Sequence, residues 1–145
     1  ETNAVNKVLI VLVVFMIFCS TYIAIGSPQN PNSTIIVYYF HGTVRCPSCT
    51  MLEELVRDAV EIEFSHELET GRITMQVVNV DKQDNKHFVD DYCLNAQSVV
   101  LSQIENGKEK QWKNLDQIWT LLEDQGQLWE YLQNEIEKFL KGTPR

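Results

Sequence analysis

The chain has 145 residues, and its 20 acidic and 12 basic side chains give a formal charge of -8. This length allows about one domain. Because affinity for nucleic acid depends on clustered cations, an acidic chain with no run of lysine or arginine argues against nucleic acid as a partner. Apolar residues make up 44% of the chain, and they are unevenly spread.

The first predicted element is an apolar window, Val8–Ile25, that contains no charged side chain. It is near the lower length limit for a helix that spans a bilayer. We favour an uncleaved membrane anchor over a secretory signal ending near Gly26. Lys7, the nearby basic residue, predicts that the rest of the chain lies outside the cytoplasm, on the periplasmic or extracellular face. The predicted organisation is an anchor or signal over 1–26, a linker over 27–34 and a domain over 35–142.

The domain begins with an alternation of strand and helix patterns. Ile35–Phe40 is a run of β-branched and aromatic residues that predicts a strand buried on both faces. Apolar residues then recur with a helical period from Cys49 to about Glu69. Ile73–Val80 predicts a second strand, and Asn85–Tyr92 a short helix. This β-α-β-α order favours a parallel pair of strands.

The second half of the domain predicts a hairpin followed by helices. Asn106-Gly107 separates the apolar run Ser98–Ile104 from Lys108–Trp112, and Asn-Gly favours a tight antiparallel turn. Two helical patterns follow, over 115–122 and 128–140, with Gln125-Gly126 as the break between them. The fold class is therefore α/β, with a mixed sheet of about four strands flanked by helices in three layers.

Two cysteines lie where the first strand passes into the first helix. A spacing of three on one helical turn places the Cβ atoms of Cys46 and Cys49 about 5–6 Å apart, so a small adjustment allows a disulfide. Unpaired N–H groups at a helix start stabilise a thiolate, and Arg45 adds a positive charge. We therefore predict Cys46 as the attacking thiol and Cys49 as the resolving thiol. Pro47 suits the first helical position and Ser48 completes the motif.

This CPSC motif and the element order around it resemble the thioredoxin-like superfamily from about Ile35 to Leu140. The resemblance implies a thiol–disulfide oxidoreductase that uses a redox-active disulfide and needs no further cofactor. The chain looks most like the small membrane-tethered, extracytoplasmic members. The implied partners are a protein disulfide or dithiol and a membrane-embedded reductase, and we expect a monomer.

The chain departs from that family at two positions near the motif. Tyr92–Val99 matches the loop that leads into the third strand, and Gln97 and Ser98 are its expected contribution to the site. Ser98 takes the place where the family usually has a cis-proline. The tryptophan common before the first cysteine is replaced by Arg45.

A third departure concerns the proton acceptor. The buried acid that the family often has in its first strand falls among Tyr38, Tyr39 and Phe40. A different acceptor would be needed, and His41 and Glu53 are the candidates.

One alternative to a redox pair is a redox-inactive interaction domain, and two further alternatives concern the cysteines. In one, the chain carries copper or zinc on Cys46 and Cys49, with His41 or Cys93 as a further ligand. In the other, the disulfide is a structural staple, but such a bond stabilises most when it closes a long loop, and this one encloses two residues. Cys93 itself is predicted to be a small buried thiol at the end of a short helix.

Overall fold

A mixed sheet of four strands forms the centre of the domain. The computed structural model describes residues 33–142, in which the strand order is β2-β1-β3-β4. The strands are β1 (Ser33–His41), β2 (Ile73–Asn79), β3 (Ser98–Glu105) and β4 (Lys108–Asn114). The helices are α1 (Pro47–Glu63), α2 (Ser65–Glu69), α3 (His87–Asp91), α4 (Ile118–Leu121) and α5 (Gln125–Leu140).

The strand pairing agrees with the predicted pattern. β1 runs parallel to β2, with Ile35 opposite Ile73, and antiparallel to β3, with Phe40 opposite Ser98. The β3–β4 hairpin turns through Asn106 and Gly107, both of which have positive φ. The predicted α/β fold with a four-stranded mixed sheet and flanking helices is therefore confirmed.

The alternating side chains of β1 build two hydrophobic clusters on opposite faces of the sheet. Val37 and Tyr39 belong to the larger cluster, which is covered by α1 and α5. Tyr38 and Phe40 belong to the smaller cluster, where they contact the ring of Phe88 from α3. The strand is thus buried on both faces, as its unbroken apolar run indicates.

Two predicted helix boundaries were wrong. The helix expected from Cys49 to Glu69 is divided at Phe64, which is 5% exposed and leaves the helical conformation with φ -123° and ψ 29°. The break before α5 lies ahead of Gln125-Gly126, because the Asp124 side chain accepts the backbone N–H of Gln127 and starts the helix there. The helical periodicity of apolar residues continues past both boundaries. The buried ring of Phe64 and the side-chain cap of Asp124 therefore determine where the helices end and begin.

The predicted membrane segment, Val8–Ile25, lies outside the described residues. Within residues 33–142, none of the helices combines the length and the apolar character needed to cross a membrane. The anchor or signal therefore stays a prediction.

The hairpin turn gives a matched pair of glycine variants. Gly107→Ala is expected to lower the free energy of unfolding by about 1 kcal/mol, because a Cβ is disfavoured at its φ of +75°. Gly126→Ala is the control, since this glycine lies in the first turn of α5 and alanine is the better helix former. Denaturant unfolding of the full chain measures both. Equal destabilisation by the two substitutions would contradict this account of the turn.

A buried carboxylate gives a prediction about pH. Glu135 of α5, with a side chain 6% exposed, accepts hydrogen bonds from Lys113 of β4 and Lys138, each at 2.7 Å. Burial opposes its ionisation, but the two lysines outweigh burial and lower the pKa of Glu135. Its contribution to stability is therefore present above the ordinary glutamate pKa of about 4.3 and is lost as the pH falls through the lowered value.

The variant Glu135→Gln tests this contribution. We expect a loss of about 1–3 kcal/mol at pH 7, the usual range for hydrogen bonds to a charged group. The loss should shrink in acid, because the native residue is then protonated as well. Unfolding curves at pH 7 and in acid measure the difference, and Glu137→Gln, at a more exposed ion pair of the same helix, is the control. A pH-independent loss would show that the Glu135 charge does not matter.

Candidate functional site

The two cysteines of the CPSC motif are joined by a disulfide at the start of α1. Their Cα atoms are 5.0 Å apart. Cys46 is the exposed N-cap residue of α1, and its Sγ accepts the backbone N–H of Cys49 at 3.1 Å. Cys49 is 3% exposed. A partner molecule therefore has access to Cys46, while Cys49 lies beneath the surface.

The loop before the motif is attached to the end of the neighbouring strand. Thr43 donates its backbone N–H to Asp81 at 2.6 Å, and its Oγ1 accepts the side-chain amide of Asn79 at 3.3 Å. The hydrogen bond from Thr43 lowers the pKa of Asp81. Pro47 then occupies the first position of α1, as predicted, and Ser48 is exposed beside it. These contacts place the cysteine pair at the end of the sheet.

Tyr39 connects the central strand directly to the motif. Its side chain is fully buried, and its hydroxyl donates to the backbone oxygen of Cys49 at 2.6 Å. Burial raises the pKa of Tyr39, while Arg45 acts in the opposite direction. The first strand, in which the related fold often has a buried acid, therefore contains a neutral hydrogen-bond donor at Tyr39. Its contact with the motif was not predicted from sequence, which indicated only a strand buried on both faces.

Arg45 and Glu53 form an ion pair beside the motif. The Arg45 guanidinium lies 6.0 Å from the centre of the Tyr39 ring. Oε2 of Glu53 is enclosed and contacts Arg45, and Oε1 accepts from Arg57 at 3.2 Å. The positive charge that was expected to act on Cys46 is thus matched by a carboxylate. As a proton acceptor, Glu53 would use the same carboxylate oxygens that already contact two guanidinium groups.

His41 and Gln97, two further predicted residues, lie at one groove. His41 ends β1, and its Nδ1 lies 2.8 Å from the backbone oxygen of Gly42. It lines an open groove together with Leu94, Asn95, Ala96 and Gln97. The structure therefore brings His41 and Gln97 together at this groove, which the two cysteines do not line.

The loop before β3 is held by two hydrogen bonds. The backbone oxygen of Gln97 accepts the indole N–H of Trp119 at 2.8 Å, and Ser98 donates its hydroxyl to the oxygen of Ala96 at 2.9 Å. Ser98 is buried. The part of the chain that the structure describes contains no cis peptide bond, so this loop is held in place without the cis-proline of the related fold.

Cys93 is exposed, so the prediction of a buried thiol was wrong. It has a φ of 52°, whereas its neighbours Tyr92 and Leu94 are buried. The left-handed backbone conformation places the two flanking side chains in the core and the intervening thiol at the surface. From residue 33 to residue 142, no three His, Cys, Asp or Glu side chains form a group that could hold a metal ion. The alternative ligand set of Cys46, Cys49, His41 and Cys93 is not assembled there.

The Tyr39 hydroxyl provides a test of how the motif is supported. Tyr39→Phe keeps the ring and removes the hydrogen bond to Cys49, so we expect a loss of about 1 kcal/mol in the free energy of unfolding. Tyr38→Phe is the matched control, because its ring faces the opposite cluster. Denaturant unfolding of the full chain, with the disulfide intact, measures both. Equal effects of the two variants would mean that the hydrogen bond to Cys49 adds nothing measurable to the free energy of unfolding.

Comparison with known proteins gives matches among solved structures. No protein-family model matches the chain, and no curated protein matches it. A structure described as that of a malarial protein is 18% identical, with a TM-score of 0.37, and covers 63% of this chain and 97% of its own. The structure of thioredoxin-2, described as a component of malaria parasite protein secretion machinery, is 18% identical, with a TM-score of 0.38, and covers 63% and 82%.

The chain's own topology is informative about its fold. A central strand lies between a parallel and an antiparallel neighbour, and a hairpin closes the far side of the sheet. The CPSC motif begins the helix that follows the central strand, and its cysteines are bonded. These features are those expected from the resemblance, and the domain has a thioredoxin-like fold.

Proposed function

We propose that this domain is a thiol–disulfide oxidoreductase that exchanges electrons with a protein partner through Cys46 and Cys49. The observation that carries the proposal is a disulfide with one exposed and one buried cysteine at the N-terminus of a helix. The bond encloses only two residues, so it removes little chain entropy from the unfolded state. Opening and closing it leaves the rest of the fold intact.

The exchange follows from the different exposure of the two sulfur atoms. In the reduced form the Cys46 thiolate attacks one sulfur of a partner disulfide, forms a mixed disulfide and releases the first partner thiolate. The Cys49 thiolate then attacks the sulfur of Cys46, restores the Cys46–Cys49 bond and releases the second partner thiolate. Two electrons pass to the partner, and the reverse sequence oxidises a partner dithiol.

The start of α1 supplies the electrostatics that this chemistry needs. Free N–H groups and the positive end of the helix dipole stabilise a thiolate at the first turn. The Cys49 N–H already bonds to the Cys46 sulfur, and the first turn contains no acidic residue. Cys46 is therefore placed to ionise and to leave as a thiolate.

The finer proposal places this exchange outside the cytoplasm. It is supported by the uncharged window at residues 8–25, with Lys7 on its N-terminal side. Glu1 and Lys7 cancel, so the charge of -8 belongs to the residues beyond the window. Such a charge favours solubility beside a membrane. The expected partner is an exported protein or a membrane-embedded reductase.

The central test traps the mixed disulfide. After reduction and addition of oxidised glutathione, Cys49→Ser in the full chain should accumulate one glutathione on Cys46 with release of one reduced glutathione, because no resolving thiol remains to displace the adduct. Cys46→Ser, which keeps the buried thiol, should react roughly tenfold or more slowly, since access controls the reaction. Mass spectrometry of the intact chain and its fragments locates and counts the adducts.

The same samples distinguish the alternatives. The native pair should equilibrate with a glutathione redox buffer and give a measurable midpoint. A pair that stays oxidised in excess reduced glutathione would indicate a structural staple. Stoichiometric copper or zinc in the reduced chain, lost in Cys46→Ser, would favour a metal carrier and overturn the proposal.

A further inference from the structure

A cluster of charged side chains lies beside the motif, and none of them takes part in the exchange steps described above. The Arg45 side chain is 31% exposed and that of its partner Glu53 14%. Arg57, one turn further along α1, contacts the same carboxylate. Each cation thus meets Glu53, but only Arg45 is adjacent in sequence to the attacking cysteine.

The geometry directs the Arg45 guanidinium toward α1. Glu53 follows Cys49 by four residues and therefore lies on the same face of the helix. The guanidinium lies over the Tyr39 ring, whose hydroxyl holds the backbone of Cys49. In the described part of the chain the contacts of this guanidinium are with Glu53 and Tyr39, and none is with the sulfur of Cys46.

We propose that Glu53 is a positioning residue that ties the Arg45 guanidinium to α1 and so withholds its charge from the sulfur of Cys46. This inference rests on the proposed function of Cys46 as the attacking thiol. A cation within about 4–6 Å favours a thiolate, whereas a cation already paired with a carboxylate presents little net charge. The helix N-terminus then remains the main stabiliser of the thiolate.

The pairing sets the balance between the oxidised and reduced forms. Releasing Arg45 would stabilise the Cys46 thiolate, which exists only in the reduced protein. The reduced form would become more stable relative to the disulfide, so the pair would become a stronger oxidant. With Glu53 in place, the pair is kept more reducing than the sequence Arg45-Cys46 alone indicates.

Other ionisable groups surround the same site and must be held constant. His41 ends β1, Asp81 follows β2 and holds the loop before the motif, and the Tyr39 hydroxyl lies beneath Cys49. The variants below leave these three groups unchanged. A shift in the behaviour of Cys46 therefore reports on Arg45 and its partner.

The first experiment measures the ionisation of Cys46 in Glu53→Gln. The reduced full chain is alkylated over a range of pH, and fragment-resolved mass spectrometry separates Cys46 from the other cysteines. We expect the thiolate fraction at a fixed pH below the thiol pKa to rise about tenfold. At a pH above the thiol pKa, where the thiolate dominates, the midpoint potential should become more positive by about 30 mV, which corresponds to a tenfold change in the equilibrium constant. Glu54→Gln, an exposed neighbour, is the matched control and should change neither.

The second experiment asks whether Glu53 acts through Arg45. Arg45→Gln should lower the thiolate fraction only slightly when Glu53 is present, but strongly in the Glu53→Gln chain, where the guanidinium is released. In the Glu53→Gln chain, where the two cations no longer share a carboxylate, Arg57→Gln is the control and should leave Cys46 within about twofold, because position 57 lies about three helical turns from Cys46. Equal effects of Arg45→Gln in both backgrounds would overturn the proposal and indicate simple additive charges.

Failure of this inference is distinguishable from failure of the proposed function. If Cys46 exchanges with glutathione but Glu53→Gln leaves its alkylation profile unchanged, the positioning role is wrong and the oxidoreductase stands. If Cys46 exchanges in none of the variants, the function itself is wrong. Glu53→Asp keeps the charge on a shorter side chain, and a smaller shift of the same sign supports the proposal if Glu53→Gln does not fold. No shift in the folded Glu53→Asp chain would then count against it.

Discussion

The central position of β1 is the constraint on which the rest of the structure depends. This strand pairs with β2 on one side and β3 on the other, and its alternating side chains enter clusters on both faces. A strand with two neighbours and two covered faces has little freedom to shift its register. The position of its last residue, His41, therefore sets where the next loop and helix α1 begin.

The different exposure of Cys46 and Cys49 follows from that arrangement. α1 packs onto the sheet through a face that includes Cys49, while Cys46 caps the helix at the surface. The Tyr39 hydroxyl reaches up from β1 to the backbone of Cys49. The strand β1 thus packs against the helix and also donates a hydrogen bond to the motif. Changes in the packing of β1 would therefore alter the position of the disulfide directly.

The positive charge next to the motif is paired with a carboxylate, which the residues adjacent in sequence do not indicate. Arg45 precedes Cys46, but its guanidinium pairs with a carboxylate from the second turn of α1. Tyr39 of β1 donates its hydroxyl to the backbone oxygen of Cys49, and burial raises the pKa of Tyr39, so the hydroxyl stays protonated. The helix N-terminus is left as the principal source of stabilisation for a thiolate.

Three features could be predicted from sequence because each depends on local signals. The order of strands and helices follows from apolar periodicity, the hairpin from the Asn-Gly turn, and the CPSC motif from the spacing of two cysteines. The helix ends at Phe64 and Asp124 could not be predicted, since a buried ring and a side-chain cap decide them. Nor could the exposure of Cys93, which depends on a left-handed residue between two buried neighbours. The two cysteines that form the disulfide could be identified from the sequence alone, because their spacing is local. Only the tertiary structure decided that Arg45 meets Glu53 and that Tyr39 meets Cys49, because those contacts join separate elements.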